Sequence, residues 1–247
     1  VTQVRGFILY RGLSVLDSAP IVAIATLQTR NAKTGPMVQT WIMREDINPV
    51  EAIKTKQDSS VCGSCPLRSN LGGSCYVKAF QAPNKIYNSY KRGNYPTLSD
   101  QGVREALAFK KVRVGSYGDP ASVPVKVWGN ALKLARGYTG YTHQINHKNF
   151  DTEILKYCMV SADTLNSATK HHTKNLRTFR VVTDYNQLLP SEIICPADSQ
   201  GLTCIECGQC NGAKSKGSNI AILVHGSRSK KHVKKYDQVN QIKVVNL

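Results

Sequence analysis

The sequence predicts an α/β protein, either a partial β/α barrel or an open parallel sheet, and three observations lead there. The first fifty residues hold apolar, β-branched runs separated by turn residues. From Ser99 the pattern alternates between helix and strand at a spacing that suits β-α units. Eight cysteines fall mainly into two groups, Cys62 to Cys75 and Cys195 to Cys210, in a 247-residue chain whose 41% hydrophobic content suffices for a core without cross-links. The organisation expected is an N-terminal β-hairpin region over 1–60, an α/β core with the first cysteine group over 61–190, and a C-terminal cysteine-rich metal-binding region with a basic tail over 191–247.

Gly6 to Tyr10 and Ile21 to Leu27 read as strands, and turn residues from Gln28 to Gly35 lead into a third at Met37 to Met43, so a hairpin is expected. Asn48 as cap, Pro49 at the first position and Glu51 at the third predict a short helix to about Thr55, which delivers the chain to Cys62. Pro83 to Arg92 reads as a helix ended by Gly93. Its Lys85, Tyr87, Tyr90, Lys91 and Arg92 either bind a nucleic-acid strand or form the solvated face of an amphipathic helix.

Beyond Ser99 the pattern predicts a helix to about Lys110, a strand at Val112 to Gly115, a helix from Pro124 to Arg136, and strands at Tyr138 to His143 and Tyr157 to Ala162. A helix capped by Asp163 and running to about Lys174, then strands at Arg177 to Thr183 and Asn219 to Val224, complete the alternation. Arg228 to Lys235 carries five Lys and Arg residues and reads as an exposed basic tail.

Parallel sheets gather chemistry at the C-terminal ends of their strands. That rule selects Ser116, Asp119 and His143 as pocket residues, with Gly115 and Gly118 suited to close approach of a ligand to the backbone. Asp119-Pro120 is also a turn signal. His143 and His147 would chelate a metal only on a helix, and strand and loop are expected there; His171 and His172 are expected at the surface.

Cys62 and Cys65 let two thiols reach one metal from a tight turn, and Cys75, approached through the flexible Gly72-Gly73, adds a third. Three protein ligands leave a position open for an exchangeable group. Cys195-Pro196 with Cys204, Cys207 and Cys210 at successive x2 spacing looks like the pattern that wraps a four-iron cluster, a closed site suited to structure or electron relay. One or two 4Fe-4S clusters are therefore expected, with zinc as the alternative, and Cys158, inside an apolar strand, as a buried non-ligand.

Lys plus Arg outnumber Asp plus Glu by 33 to 16, a formal charge of +17, which implies a polyanionic partner, most simply nucleic acid, or a merely soluble basic surface. No apolar run approaches the roughly 20 residues of a membrane span, and the order of a signal peptide is missing at the N-terminus. A cytoplasmic protein is expected. Disulfides in an exported chain fit this less well than metal ligation does.

Side by side, Cys62-x2-Cys65-Pro66, Gly73-Ser-Cys75-Tyr76, Arg113-x-Gly-Ser-Tyr-Gly-Asp-Pro120, Thr139-Gly-Tyr-Thr-His143 and Cys195-Pro196 with Cys204, Cys207 and Cys210 resemble an uncharacterised phage and prophage family. That family is itself similar to the radical S-adenosylmethionine superfamily. The resemblance implies a partial β/α barrel, a four-iron cluster on Cys62, Cys65 and Cys75 that binds S-adenosylmethionine, Tyr76 beside the cofactor, and an auxiliary cluster on the later cysteines. For a phage-encoded chain it implies the host cytoplasm. The spacing C-x2-C-x9-C differs from the superfamily's C-x3-C-x2-C. The rival expectation is a non-catalytic, zinc-stabilised nucleic-acid-binding protein of phage replication, in which the cysteines only staple loops. A replication nuclease would need a His-x-His strand pair, which the sequence lacks.

Overall fold

The computed structural model describes residues 5–29 and 31–240. Arg30, within the expected turn, and the outer ends of the 1–60 and 191–247 regions lie outside the described residues.

The strands are β1 (Gly6–Leu13), β2 (Pro20–Thr26), β3 (Val38–Arg44), β4 (Lys111–Tyr117), β5 (Gly137–Thr142), β6 (Met159–Ala162), β7 (Thr178–Val182), β8 (Glu192–Ile194) and β9 (Asn219–Leu223). The helices are α1 (Pro49–Lys54), α2 (Ser59–Cys62), α3 (Ala82–Lys91), α4 (Asp100–Leu107), α5 (Val125–Ala131), α6 (Leu165–His172), α7 (Pro196–Ser199), α8 (Cys204–Cys207) and α9 (Ser229–Asn240).

All nine strands join one sheet in the order β1-β2-β3-β4-β5-β6-β7-β9-β8. The first three are antiparallel, with Ile24 facing Ile8 on one side and Trp41 on the other. From β3 onward each neighbouring pair is parallel. The sheet stays open, with β1 and β8 at its edges, so of the two expected arrangements the barrel is not formed. A bulge between Ile8 and Tyr10 breaks the pairing rhythm of the edge strand β1, which blunts it against further pairing.

Alternation of side chains gives the sheet two unlike faces. Cys158 and Val160 turn toward the main core with Leu107, Trp128 and Leu132, and Cys158 is fully buried as expected. Met159, between them, turns the other way and packs with Ile220, Tyr141, Phe179, Cys195 and Cys210. The sulfur-rich segment therefore covers the second face.

Several elements depart from expectation for reasons of local hydrogen bonding. α6 is capped by Thr164, whose hydroxyl accepts from the Ser167 N–H at 3.1 Å, and not by Asp163. β6 starts two residues late because Thr152–Lys156 forms a 3-10 helix that ends on Tyr157. α5 stops at Ala131, short of the expected Arg136. His171 is buried within α6 rather than at the surface. The basic tail is corrected most: Ser229–Asn240 is helical, and His232 and Tyr236 are buried against the rest of the chain.

Candidate metal and ligand site at the strand ends

The Asn48 side chain accepts from the Val50 N–H at 2.9 Å and starts α1, as the cap pattern predicts. The chain then turns into α2, and Cys62 closes that helix with its N–H on the Asp58 carbonyl at 2.8 Å. Gly63 follows at φ 52, and a Cβ there would meet the Gln144 side chain at 2.0 Å, so only glycine fits. Gln144, buried just past β5, uses that space: its amide donates to the Cys62 carbonyl at 3.0 Å and accepts from the Ser64 N–H at 3.1 Å.

A second clamp holds the loop from behind. Arg68 pairs with Asp58 through two nitrogens and donates to the carbonyls of Gly63 and Lys56 at 3.0 and 2.9 Å. Cys75 is drawn back by its N–H on the Leu67 carbonyl at 2.8 Å. The Gly73 backbone presses so closely on Leu67 that a Cβ would lie 2.2 Å from its carbonyl carbon. The Gly72-Gly73 step is thus a tight packing contact at Gly73, not a loose approach. Cys62 comes within electrostatic reach of Cys65 and Cys75, and Cys75 of Cys65; burial first, then the neighbouring thiols, pushes Cys62 well up.

α9 roofs this loop. His232 Nδ1 meets Ser74 Oγ at 2.8 Å, Lys235 donates to the Pro66 carbonyl at 3.1 Å, and Arg228 bonds Ser69.

The residues expected to shape the pocket divide into different roles. Asp119 is buried and accepts from Thr142 Oγ1 and the His143 N–H at 2.8 Å each and from the Ala121 N–H at 3.0 Å. Its own N–H reaches the Val61 carbonyl at 2.6 Å. Asp119 therefore locks the ends of β4 and β5 to the cysteine loop and has little freedom for proton transfer. His143 lies 3.3 Å from Asp163; burial alone would lower it, but the Cys65 thiol and the Asp163 carboxylate carry it well above its ordinary value. His147 does not join it there. At Gly115 and Gly118 the close approaches are made by the protein, Pro120 at 2.8 Å and the Ile42 carbonyl at 2.6 Å from a built Cβ, where the sequence suggested a ligand.

Ser116 and Tyr76 do face a cavity of about 260 Å³, together with Gln39, Trp41, Lys78 and Arg113. Ser116 donates to Gln39 Oε1 at 2.6 Å. Tyr76 is 57% exposed, with its ring 5.9 Å from that of His225.

The second thiol group packs with Met159 and Ile220 on the second face. Cys195 sits beyond β8, with its N–H on the Ala221 carbonyl at 2.7 Å. α8 carries Cys204 and Cys207 and begins with a capping box between Thr203 and Glu206, and Gly208 ends it in the left-handed conformation. Cys195 lies within electrostatic reach of Cys204 and Cys207, and Cys210 of Cys195 and Cys204. Burial pushes Cys210 up to about 12, partly offset by Tyr141 and Arg113.

Among the described residues no three Cys, His, Asp or Glu side chains converge on one ion-sized position. Arg113 and the α9 roof were not singled out from the sequence, although the Arg113 word in the resemblance pointed at the first. No helix of the described residues is long and apolar enough to cross a membrane. Compared with protein-family models, curated proteins and solved structures, the chain matches none.

Proposed function

We propose that the chain is an iron-sulfur protein of radical S-adenosylmethionine type, acting on a nucleotide or nucleic-acid-related substrate. The observation that carries this reading is the placement of three thiols, Cys62, Cys65 and Cys75, past the C-terminal ends of β4 and β5, near a cavity that Tyr76 lines, with four more in a second group. The donor chemistry fits: thiolate sets select zinc or iron-sulfur groups. One zinc ion would draw its sulfurs to about 2.3 Å from a single point, whereas a four-iron cluster takes one thiolate per iron and needs no common point. Cys62, Cys65 and Cys75 would hold the first cluster, and Cys195, Cys204, Cys207 and Cys210 the second.

A cluster held by Cys62, Cys65 and Cys75 would supply the one-electron chemistry for reductive cleavage of S-adenosylmethionine. The chain's own part is positional. Gln144 and Asp119 set the loop that bears the thiols, Arg68 holds it from behind, and α9 excludes water from one side. His143, fixed by its backbone bond to Asp119, places a ring nitrogen between Asp163 and Cys65. The charge of +17 favours an anionic substrate.

Anaerobic purification with iron, sulfide and zinc quantitation and an absorption spectrum tests the reading. Two clusters correspond to about eight iron and eight sulfide per chain with a broad visible band, followed by S-adenosylmethionine cleavage under reduction. One or two tightly held zinc ions and no colour overturn it in favour of a structural zinc protein.

A further inference from the structure

Four arginines are buried among the described residues: Arg68, Arg113, Arg177 and Arg180. Three are tied to carboxylates or to several carbonyls, although Arg180 Nη1 has no partner there. Arg68 pairs with Asp58 and two carbonyls, and Arg180 pairs with Glu192. Arg177 donates to the carbonyls of Gln209 and Ser218 and to the side chains of Asn211 and Ser215. Arg113 differs. It is only 8% exposed, yet no carboxylate lies in ion-pair range of it among the described residues, and its guanidinium carbon stands 4.4 Å over the Tyr141 ring.

A buried cation needs an anion or a set of acceptors. Arg113 lines the 260 Å³ cavity, and with Tyr141 and the thiols of the second group but no carboxylate of the described residues around it, it borders space that an anion can fill. The other walls describe that ligand. Trp41 and Tyr76 present aromatic surface, and the Trp41 N–H is already tied to Thr26 Oγ1 at 3.0 Å, leaving its ring for stacking. Ser116 donates to Gln39, so its oxygen remains an acceptor for a ring or sugar N–H or O–H. Lys78 stands at the exposed rim. The cavity is slightly smaller than the roughly 300 Å³ at which drug-sized pockets begin, which suits one nucleotide and not a run of them. It also lies between the thiol groups: Tyr76 follows Cys75, and Arg113 is in electrostatic reach of Cys204 and Cys210.

We propose that this cavity binds a nucleoside monophosphate, its base against Trp41 and Tyr76 and its phosphate on Arg113 with Lys78 at the rim. The proposal names the substrate class for the function proposed above and rests on that reading for the chemistry that follows binding.

The two tryptophans make the test direct. Trp128 is fully buried and does not line the cavity, with its N–H on the Pro120 carbonyl at 3.0 Å, so ligand-induced emission changes report Trp41. The anaerobically purified full chain, with iron and zinc assayed on the same sample, is titrated with AMP, CMP, GMP and UMP, the matching nucleosides, and inorganic phosphate. Calorimetry accompanies the fluorescence. The expected result is saturable binding of at least one monophosphate, weakened about tenfold or more for its nucleoside and in Arg113→Gln. Trp41→Phe loses the fluorescence change, and Lys78→Glu, at an exposed position, weakens binding even if Arg113→Gln fails to fold.

Absence of binding by all four monophosphates overturns the proposal. So do unchanged affinity in Lys78→Glu together with folded Arg113→Gln, and phosphate alone binding as tightly as any nucleotide. Loss of metal from folded Arg113→Gln with nucleotide affinity intact also overturns it, because Arg113 would then be the counter-charge of the second thiol group. Nucleotide binding to a zinc-only sample sinks the radical reading and leaves this site standing; iron without nucleotide binding does the reverse.

Discussion

The two cysteine groups are held by different means. The first sits on an irregular loop whose shape is imposed from outside, by Gln144 from β5, Arg68 and Asp58 from behind, and His232 from above. The second sits on a capped turn of helix at α8, tied to the Lys33 and Thr34 carbonyls, and on a strand end at Cys195, with an apolar bed of Met159, Ile220 and Phe179 around Cys210. The cavity lies between the two groups, and Tyr141 and Arg113 stand beside the apolar bed of the second. A site that must admit and release a ligand needs a polar-clamped loop; one that only holds charge or shape is served by an apolar bed.

Cysteine substitution has the largest expected effect on that contrast. Under the proposed function, Cys62→Ala or Cys65→Ala removes about four irons per chain and all S-adenosylmethionine cleavage, read by iron assay and product analysis. Cys207→Ala removes a similar number but also lowers the thermal midpoint, because its segment is part of the fold. Cys158→Ala leaves the iron content unchanged. Equal behaviour of the two groups in both assays would erase the distinction.

Next come the buried ion pairs that hold the two regions. Asp58→Ala leaves Arg68 unpaired under the first loop, and Glu192→Ala leaves Arg180 unpaired beneath β8. Each is expected to cost about 3–5 kcal/mol in chemical denaturation. Only Asp58→Ala should also change metal retention at the first group, since Arg68 alone bonds the Gly63 carbonyl.

The roof gives a smaller, local effect. Truncation after Gly226 should raise the reactivity of Cys65 and Cys75 toward a thiol reagent in metal-free protein severalfold and leave Cys204 and Cys207 as they were. Equal change in both groups would mean that α9 stabilises the whole fold instead of covering one loop.

The smallest expected effect is the share of the pH dependence that the α6 histidines carry. Burial, together with Lys174 and Lys170, depresses His171; burial and Arg180, opposed by Glu192, depress His172, which bonds Thr178 and Ser191. The folded state favours neutral imidazoles, so it binds fewer protons than the unfolded chain. Stability is therefore fully present above the unfolded value of about 6.5 and is lost as pH falls toward the depressed folded values. Denaturation midpoints should fall across that window for the parent and fall less steeply in His172→Gln, with nucleotide affinity unaffected.

Local rules made much of the fold legible. Asn48-Pro49 starts a helix because a side-chain oxygen and a fixed φ satisfy the first turn, whatever packs around it. Strands from Ile21 and Val38 follow from β-branched runs, and the parallel order follows from repeated β-α units. Asp163 misled because Thr164, one residue on, is also a capping residue, and only the turn geometry chose between them. The glycines at 115 and 118 misled because close approach can be made by protein as well as by ligand. The charge run at 228–235 read as solvated because its one buried member, His232, is polar, and Tyr236, just past it, is polar-ended.

The sequence by itself determined the α/β alternation, the caps and the two thiol groups, since each depends on residues within a few positions of one another along the chain. The tertiary structure alone decided which glycine yields to Gln144 across eighty residues, that α9 closes over Ser74, and that Arg113 faces a cavity without a carboxylate among the described residues. Those outcomes are set by packing between segments distant in the chain, where side-chain volume and hydrogen-bond satisfaction are settled jointly and no local pattern records the result.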